Sequence, residues 1–171
     1  MRDTDQIRSF LQILGERLPS LSRLYLVGGG ALVLLGSPRL TIDIDFLGDD
    51  LHPTELQRIF LKQAEELEVY MEAVPLEKFI PIPEGSGSRI IHIGNFDNLE
   101  AFIADPYSIA LSKVARGFDT DLDDIIFLLQ NKFISMNELV LYVEKALEST
   151  RDYDMDKAEV EVPLLELKKR L

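Results

Sequence analysis

Apolar side chains recur at Ile7, Phe10, Leu11, Leu14 and Leu18, the spacing of one helical face, and Pro19 closes the run. The period then changes. "RLYLV", ending at Val27, is aliphatic and aromatic without helical spacing, which predicts a short strand. Three glycines, Gly28 to Gly30, turn the chain; "GALVLLG" reads as a short buried helix ending at Gly36, and "SPR" as a second turn. "LTIDIDFL" alternates, predicting a strand with Thr41, Asp43 and Asp45 on one face and Ile42, Ile44 and Phe46 on the other.

Pro53 stands where a helix begins, and "TELQRIFLKQAEEL" continues it. "VYMEAV" predicts a strand, "PLEKFIPIPEGSGS" is turn-rich, and "RIIHI" and "LEAFIA" predict two more strands joined by a "GNFDN" turn. Beyond Asp105 the pattern is helical. "DPYSIALSKVARG" has an N-cap aspartate, a proline at its first position and a closing glycine, Gly117. "TDLDDIIFLLQN" follows, then "SMNELVLYVEKALES" with Ser135 and Glu138 spaced as a capping box. The charged tail is helical in composition and broken near Pro163. The whole predicts an α+β chain, a mixed sheet flanked by helices with a helical C-terminal third. It reads as one domain over residues 1–171, with a core at about 20–130 and C-terminal helices at about 131–171.

Composition narrows the function. The 171 residues are 46% hydrophobic and 28% charged, as in a globular domain. With no cysteine, a disulfide framework and a thiolate zinc site are excluded, and a reducing cytoplasm fits. The charged start "MRDTDQIRSF" does not read as a signal peptide. The longest uncharged run, between Arg23 and Arg39, is interrupted by glycines and too short to span a bilayer, so no membrane role is expected. A net charge of -12 disfavours a long polynucleotide, whose binding rests on Lys and Arg at phosphates.

The chemistry centres on Asp43 and Asp45. On a strand they project the same way, about 7 Å apart. Two carboxylates so close repel unless a cation joins them, and Mg2+ takes carboxylate oxygens together with substrate phosphates. The glycines upstream let backbone N–H groups approach a phosphate. Rival motifs fail on their letters: no Lys-Ser/Thr follows the glycines as a P-loop needs, and dinucleotide-type glycine spacing is absent. Leu47 breaks the phosphatase "DxDx[TV]" pattern, and a DxD glycosyltransferase domain is usually longer.

"LVGGGALVLLGSPRLTIDIDFL" resembles the signature of the nucleotidyltransferase superfamily, and Arg39, Thr41, Asp43 and Asp45 resemble its AbiEii-like, abortive-infection branch. A second matching segment, "DPYSIALSKVARGFDTDLDDI", carries Lys113, Arg116, Asp121 and Asp124. The resemblance implies a nucleotidyltransferase fold. It implies an enzyme that moves a nucleoside monophosphate from a triphosphate to a hydroxyl on a protein, a small molecule or transfer RNA, in a toxin–antitoxin or phage-defence setting with a toxin or antitoxin partner protein. Asp43 and Asp45 would be the catalytic Mg2+ ligands, with Mn2+ as the substitute. Gly28 and Gly29 would hold the triphosphate, Lys113 would neutralise it, Arg39 and Thr41 would orient the strand or touch the nucleotide, and Asp121 would orient Lys113 or assist at the metal. Many superfamily members carry a third carboxylate; Glu100 and Asp97 are the candidates here. Without one, a catalytically reduced nucleotide-binding or protein-interaction module is the alternative.

Blander roles compete at several positions. Arg116, Asp123 and Asp124 suit ion pairs across the helix junction. His52 and His92 are isolated and read as structural, and Tyr107 reads as a packing residue. Leu139, Tyr142, Val143 and Leu147 form a core stripe.

Overall fold

The computed structural model describes every residue except Thr150, Arg151, Asp152 and Asp154, so the start of the expected helical tail lies outside the described residues. The chain forms two compact units, Met1–Pro75 with Ile90–Ala104, and Leu76–Arg89 with Asp105–Leu171.

The first unit holds a five-stranded sheet. Its elements run α1 (Thr4–Arg17), β1 (Ser22–Val27), α2 (Gly28–Leu34), β2 (Asp43–Leu47), α3 (Glu55–Glu66), β3 (Tyr70–Val74), β4 (Ile91–Phe96) and β5 (Leu99–Ile103). The strand order is β3-β2-β1-β5-β4, with β1–β5 and β2–β3 parallel and β1–β2 and β4–β5 antiparallel. Paired residues share a face, so Leu24, Leu26, Ile44, Phe46, Met71, Ala73, Leu99, Ala101 and Ile103 form one apolar surface. Helices cover that surface. Ile7, Leu11 and Leu14 of α1 are fully buried, and Phe60 of α3 meets Phe46 edge to face at 5.9 Å. Asp3 and Gln6 close a capping box at α1, and Thr54 and Gln57 do the same at α3.

The second unit contains α4 (Pro106–Arg116), α5 (Asp119–Gln130), α6 (Met136–Glu148) and α7 (Lys157–Arg170). The turn-rich segment forms two short 3-10 turns, Leu76–Lys78 and Ser86–Arg89. Arg89 fastens the second of these. Its guanidinium donates to both oxygens of the buried Asp105 at 2.8 Å and lies over the rings of Tyr107 and Tyr142.

Several local expectations are corrected. β2 begins at Asp43, not Leu40, because Thr41 exchanges backbone hydrogen bonds with Arg2 instead; Ile42 consequently points outward, 65% exposed. The glycines do not form a separate turn but the first turn of α2. The β4–β5 turn is only Asp97 and Asn98; Gly94 lies inside β4 beside a register shift. α7 continues through Pro163, whose ring packs so close to Gly117 that a β-carbon there would lie 2.8 Å from Pro163 Cγ. The capping box at α6 is half made. Ser135 Oγ accepts from the Glu138 N–H, but the Ser135 N–H donates to the Tyr107 hydroxyl, which in turn hydrogen-bonds the Glu138 carboxylate. Burial raises the Tyr107 phenol's pKa and the Glu138 contact adds to it, in keeping with a packed residue, 6% exposed.

Candidate functional site

The face of the sheet opposite the α1 and α3 packing is polar at its β2–β3 end. Asp43 and Asp45 alternate with the buried Ile44 and Phe46, and both acids are half-buried. Glu72 of β3 pairs in register with Asp45 and, alternating with Met71 and Ala73, joins the same face. One carboxylate oxygen from each of Asp43, Asp45 and Glu72 lies within 4.8 Å of the others. Oxygens on opposite sides of a Mg2+ stand about 4.2 Å apart, so little movement would let all three share an ion. Three hard, anionic oxygen donors fit Mg2+ or Mn2+ and do not fit a thiophilic metal.

The glycines make room for this cluster. Gly28 has φ +65, and a β-carbon there would lie 2.2 Å from Asp45 Oδ2. A β-carbon on Gly29 would lie 3.0 Å from Thr41 Oγ1 and 3.1 Å from Arg39 Nη2. The missing side chains thus admit Asp45, Thr41 and Arg39 to the backbone. Thr41 is 2% exposed, and its hydroxyl proton is shared between the backbone oxygen of Asp43, at 3.0 Å, and Asp43 Oδ1, at 3.3 Å. This fixes the carboxylate from behind. Thr41→Val keeps the shape and removes that proton. Its expected result is about a tenfold loss of Mg2+ affinity, read by calorimetric titration, with Thr41→Ser near the parent value.

Neither earlier candidate for a third carboxylate joins the pair. Glu100 pairs with Arg23 at 3.0 Å on β5, and Asp97 sits in the β4–β5 turn with φ +55. Glu72 was missed because strand order decides its position. Its signal in the sequence was an acid between two apolar residues of a predicted strand.

Gly28, Gly29, Arg39, Thr41, Asp43 and Asp45 all belong to the first unit, and Lys113 and Asp121 to the second. There Lys113 is 3% exposed, with its ammonium 2.7 Å from Asp124 Oδ2 and 3.3 Å from Asp121 Oδ1. Arg116 donates to Asp121 through both Nε and Nη2. Burial pushes the Asp121 carboxyl up, but the Arg116 hydrogen bond and the Lys113 and Arg116 charges outweigh it and hold it below the usual aspartate range. Asp123 meets Arg170 at 3.3 Å. His92 packs on Phe102 and contacts Asn95.

Among the described residues no helix is long and apolar enough to cross a membrane. No curated protein and no solved structure matches the chain. A family model, described as a nucleotidyltransferase of unknown function (DUF6036), matches residues 5–165. With that match, a mixed sheet flanked by helices and an acidic cluster beside the glycines that open α2, the chain belongs to this nucleotidyltransferase family.

Proposed function

We propose that the protein is a Mg2+-dependent nucleotidyltransferase that moves a nucleoside monophosphate from a triphosphate to an acceptor hydroxyl. The observation that carries this reading is the convergence of Asp43, Asp45 and Glu72, with Asp45 set against Gly28. When bound, the ion neutralises charge on the triphosphate and on the pyrophosphate that leaves. Mg2+ is usually held by one or two protein carboxylates plus phosphates, and with triphosphate present the resemblance gives that role to Asp43 and Asp45, the pair on β2. Glu72, exposed at the outer side of the cluster, is left to take the proton of the attacking hydroxyl. That oxygen bonds to the α-phosphorus as the bond to the β-phosphate oxygen breaks, and most of the stabilisation is positional and electrostatic. Gly28 and Gly29 offer backbone N–H groups to the phosphates and Arg39 adds a cation beside them; for Lys113 and Asp121 a phosphate role is what the resemblance assigns.

The AbiEii-like pattern at Arg39, Thr41, Asp43 and Asp45 supports a toxin–antitoxin or phage-defence setting with a partner protein. The net charge of -12 favours a protein or small-molecule acceptor over bulk RNA, with transfer RNA the exception that the resemblance keeps open. The alternative of a catalytically reduced binding module drew its support from a missing third carboxylate, and Glu72 is available for that place.

Pyrophosphate release from labelled triphosphate, with protein, small-molecule and transfer-RNA acceptor pools, tests the proposal. Activity should require Mg2+ and vanish with a chelator. Glu72→Gln should slow release by about 100-fold while Mg2+–triphosphate binding persists. Binding without release in every pool would leave the non-catalytic module as the better reading.

A further inference from the structure

At the β3 edge of the sheet the acid-bearing face carries an aromatic side chain. Tyr70 opens β3, is 64% exposed and pairs in register with Asp43. It shares its face with Glu72, two residues on, while Met71 between them is buried on the other side. β3 is an edge strand, so no further strand of the sheet lies beyond the ring among the described residues. The other aromatics on this face are differently engaged. Tyr25 and Phe102 stack on each other, with centroids 5.2 Å apart and planes 19° apart, and His92 tilts against Phe102. Tyr70 has no ring partner among the described residues.

We propose that Tyr70 is the platform on which the base of the nucleoside triphosphate stacks, an inference that rests on the nucleotidyltransferase reading above. Neighbouring strands are about 4.8 Å apart, and Tyr70 and Glu72 stand about 7 Å apart along β3. The ring therefore flanks the acids at short range. In a nucleotide the ribose separates the base from the α-phosphate by a comparable span, so phosphates held through an ion at Asp43 and Asp45 leave the base within reach of this edge. Stacking needs only the π-face, so the phenol oxygen is dispensable and the site tolerates several bases. A purine, with the larger ring, gains most.

Titration calorimetry with Mg2+ tests this on the full chain, using a non-hydrolysable ATP analogue, the matching UTP analogue and inorganic tripolyphosphate. Tyr70→Ala should weaken the ATP analogue about tenfold and the UTP analogue less, and leave tripolyphosphate unchanged. Tyr70→Phe should bind all three as the parent does. The proposal is overturned if Tyr70→Ala binds the ATP analogue normally, if Tyr70→Phe loses as much as Tyr70→Ala, or if tripolyphosphate weakens equally. A parent chain that binds neither nucleotide nor tripolyphosphate overturns the nucleotidyltransferase reading itself, and the Tyr70 assignment with it.

Discussion

Asp45→Asn is expected to lower Mg2+-dependent pyrophosphate release about 1,000-fold, the upper range for losing one preorganised electrostatic contact in a reacting site. Asp45 occupies the middle of the cluster. It pairs across β1 with Val27, the residue before the glycines, and across β3 with Glu72. Asparagine keeps the side chain's shape but offers the ion a neutral oxygen. The apolar face of β2, Ile44 and Phe46, is untouched, so the melting temperature should move by only a few degrees. Release kinetics beside thermal melts check both halves. Near-parental turnover would remove the acids from the reaction, and a collapsed melting temperature would make their role structural.

Lys113→Met is the variant expected to cost most stability, about 3 kcal/mol, or roughly 10 °C in melting temperature. Methionine fills the space, but Asp124 and Asp121, 4% and 1% exposed, lose the ammonium between them. Arg116 still reaches Asp121, which keeps the loss from being larger. The acid limb of the stability profile offers a second readout. Because the folded Asp121 carboxyl is held below its ordinary value of 3.8, its stabilisation is complete above that value and is lost as pH falls through the lower, folded one. Lys113→Met removes one of the charges that depress it, so that dependence should flatten. The phosphate role proposed for Lys113 is tested on the same variant at low temperature, where it remains folded. A drop in triphosphate affinity there is a loss that the ion-pair staple alone does not explain.

The alternation "TIDIDFL" made the two acids legible because the period of a strand is a local property of the sequence. Their shared face and the apolar residue between them follow from it directly. Glu72 was not legible in the same way. Its position beside Asp45 depends on β3 pairing in parallel with β2, a contact made across the whole of α3, and Glu100 looked no worse as a letter in another predicted strand. Helix ends were well marked, as at Asp105 and Gly117, since caps are local too. Pro163 shows the same limit: α7 runs on through it, and its ring packs close to Gly117, far away in the chain. The glycines were read as space for a ligand. The structure adds that they are also space for Asp45, Thr41 and Arg39, which only the folded chain brings there.

The β4–β5 hairpin interrupts the second unit in sequence, since Leu76–Arg89 lies before it and Asp105–Leu171 after it. Neither unit is a continuous stretch of polypeptide. During synthesis the Arg89 guanidinium leaves the ribosome well ahead of the Asp105 carboxylate it will grip. The helical unit therefore completes that clasp only once the sheet's last two strands have been made, and no single proteolytic cut divides the chain into its two natural parts.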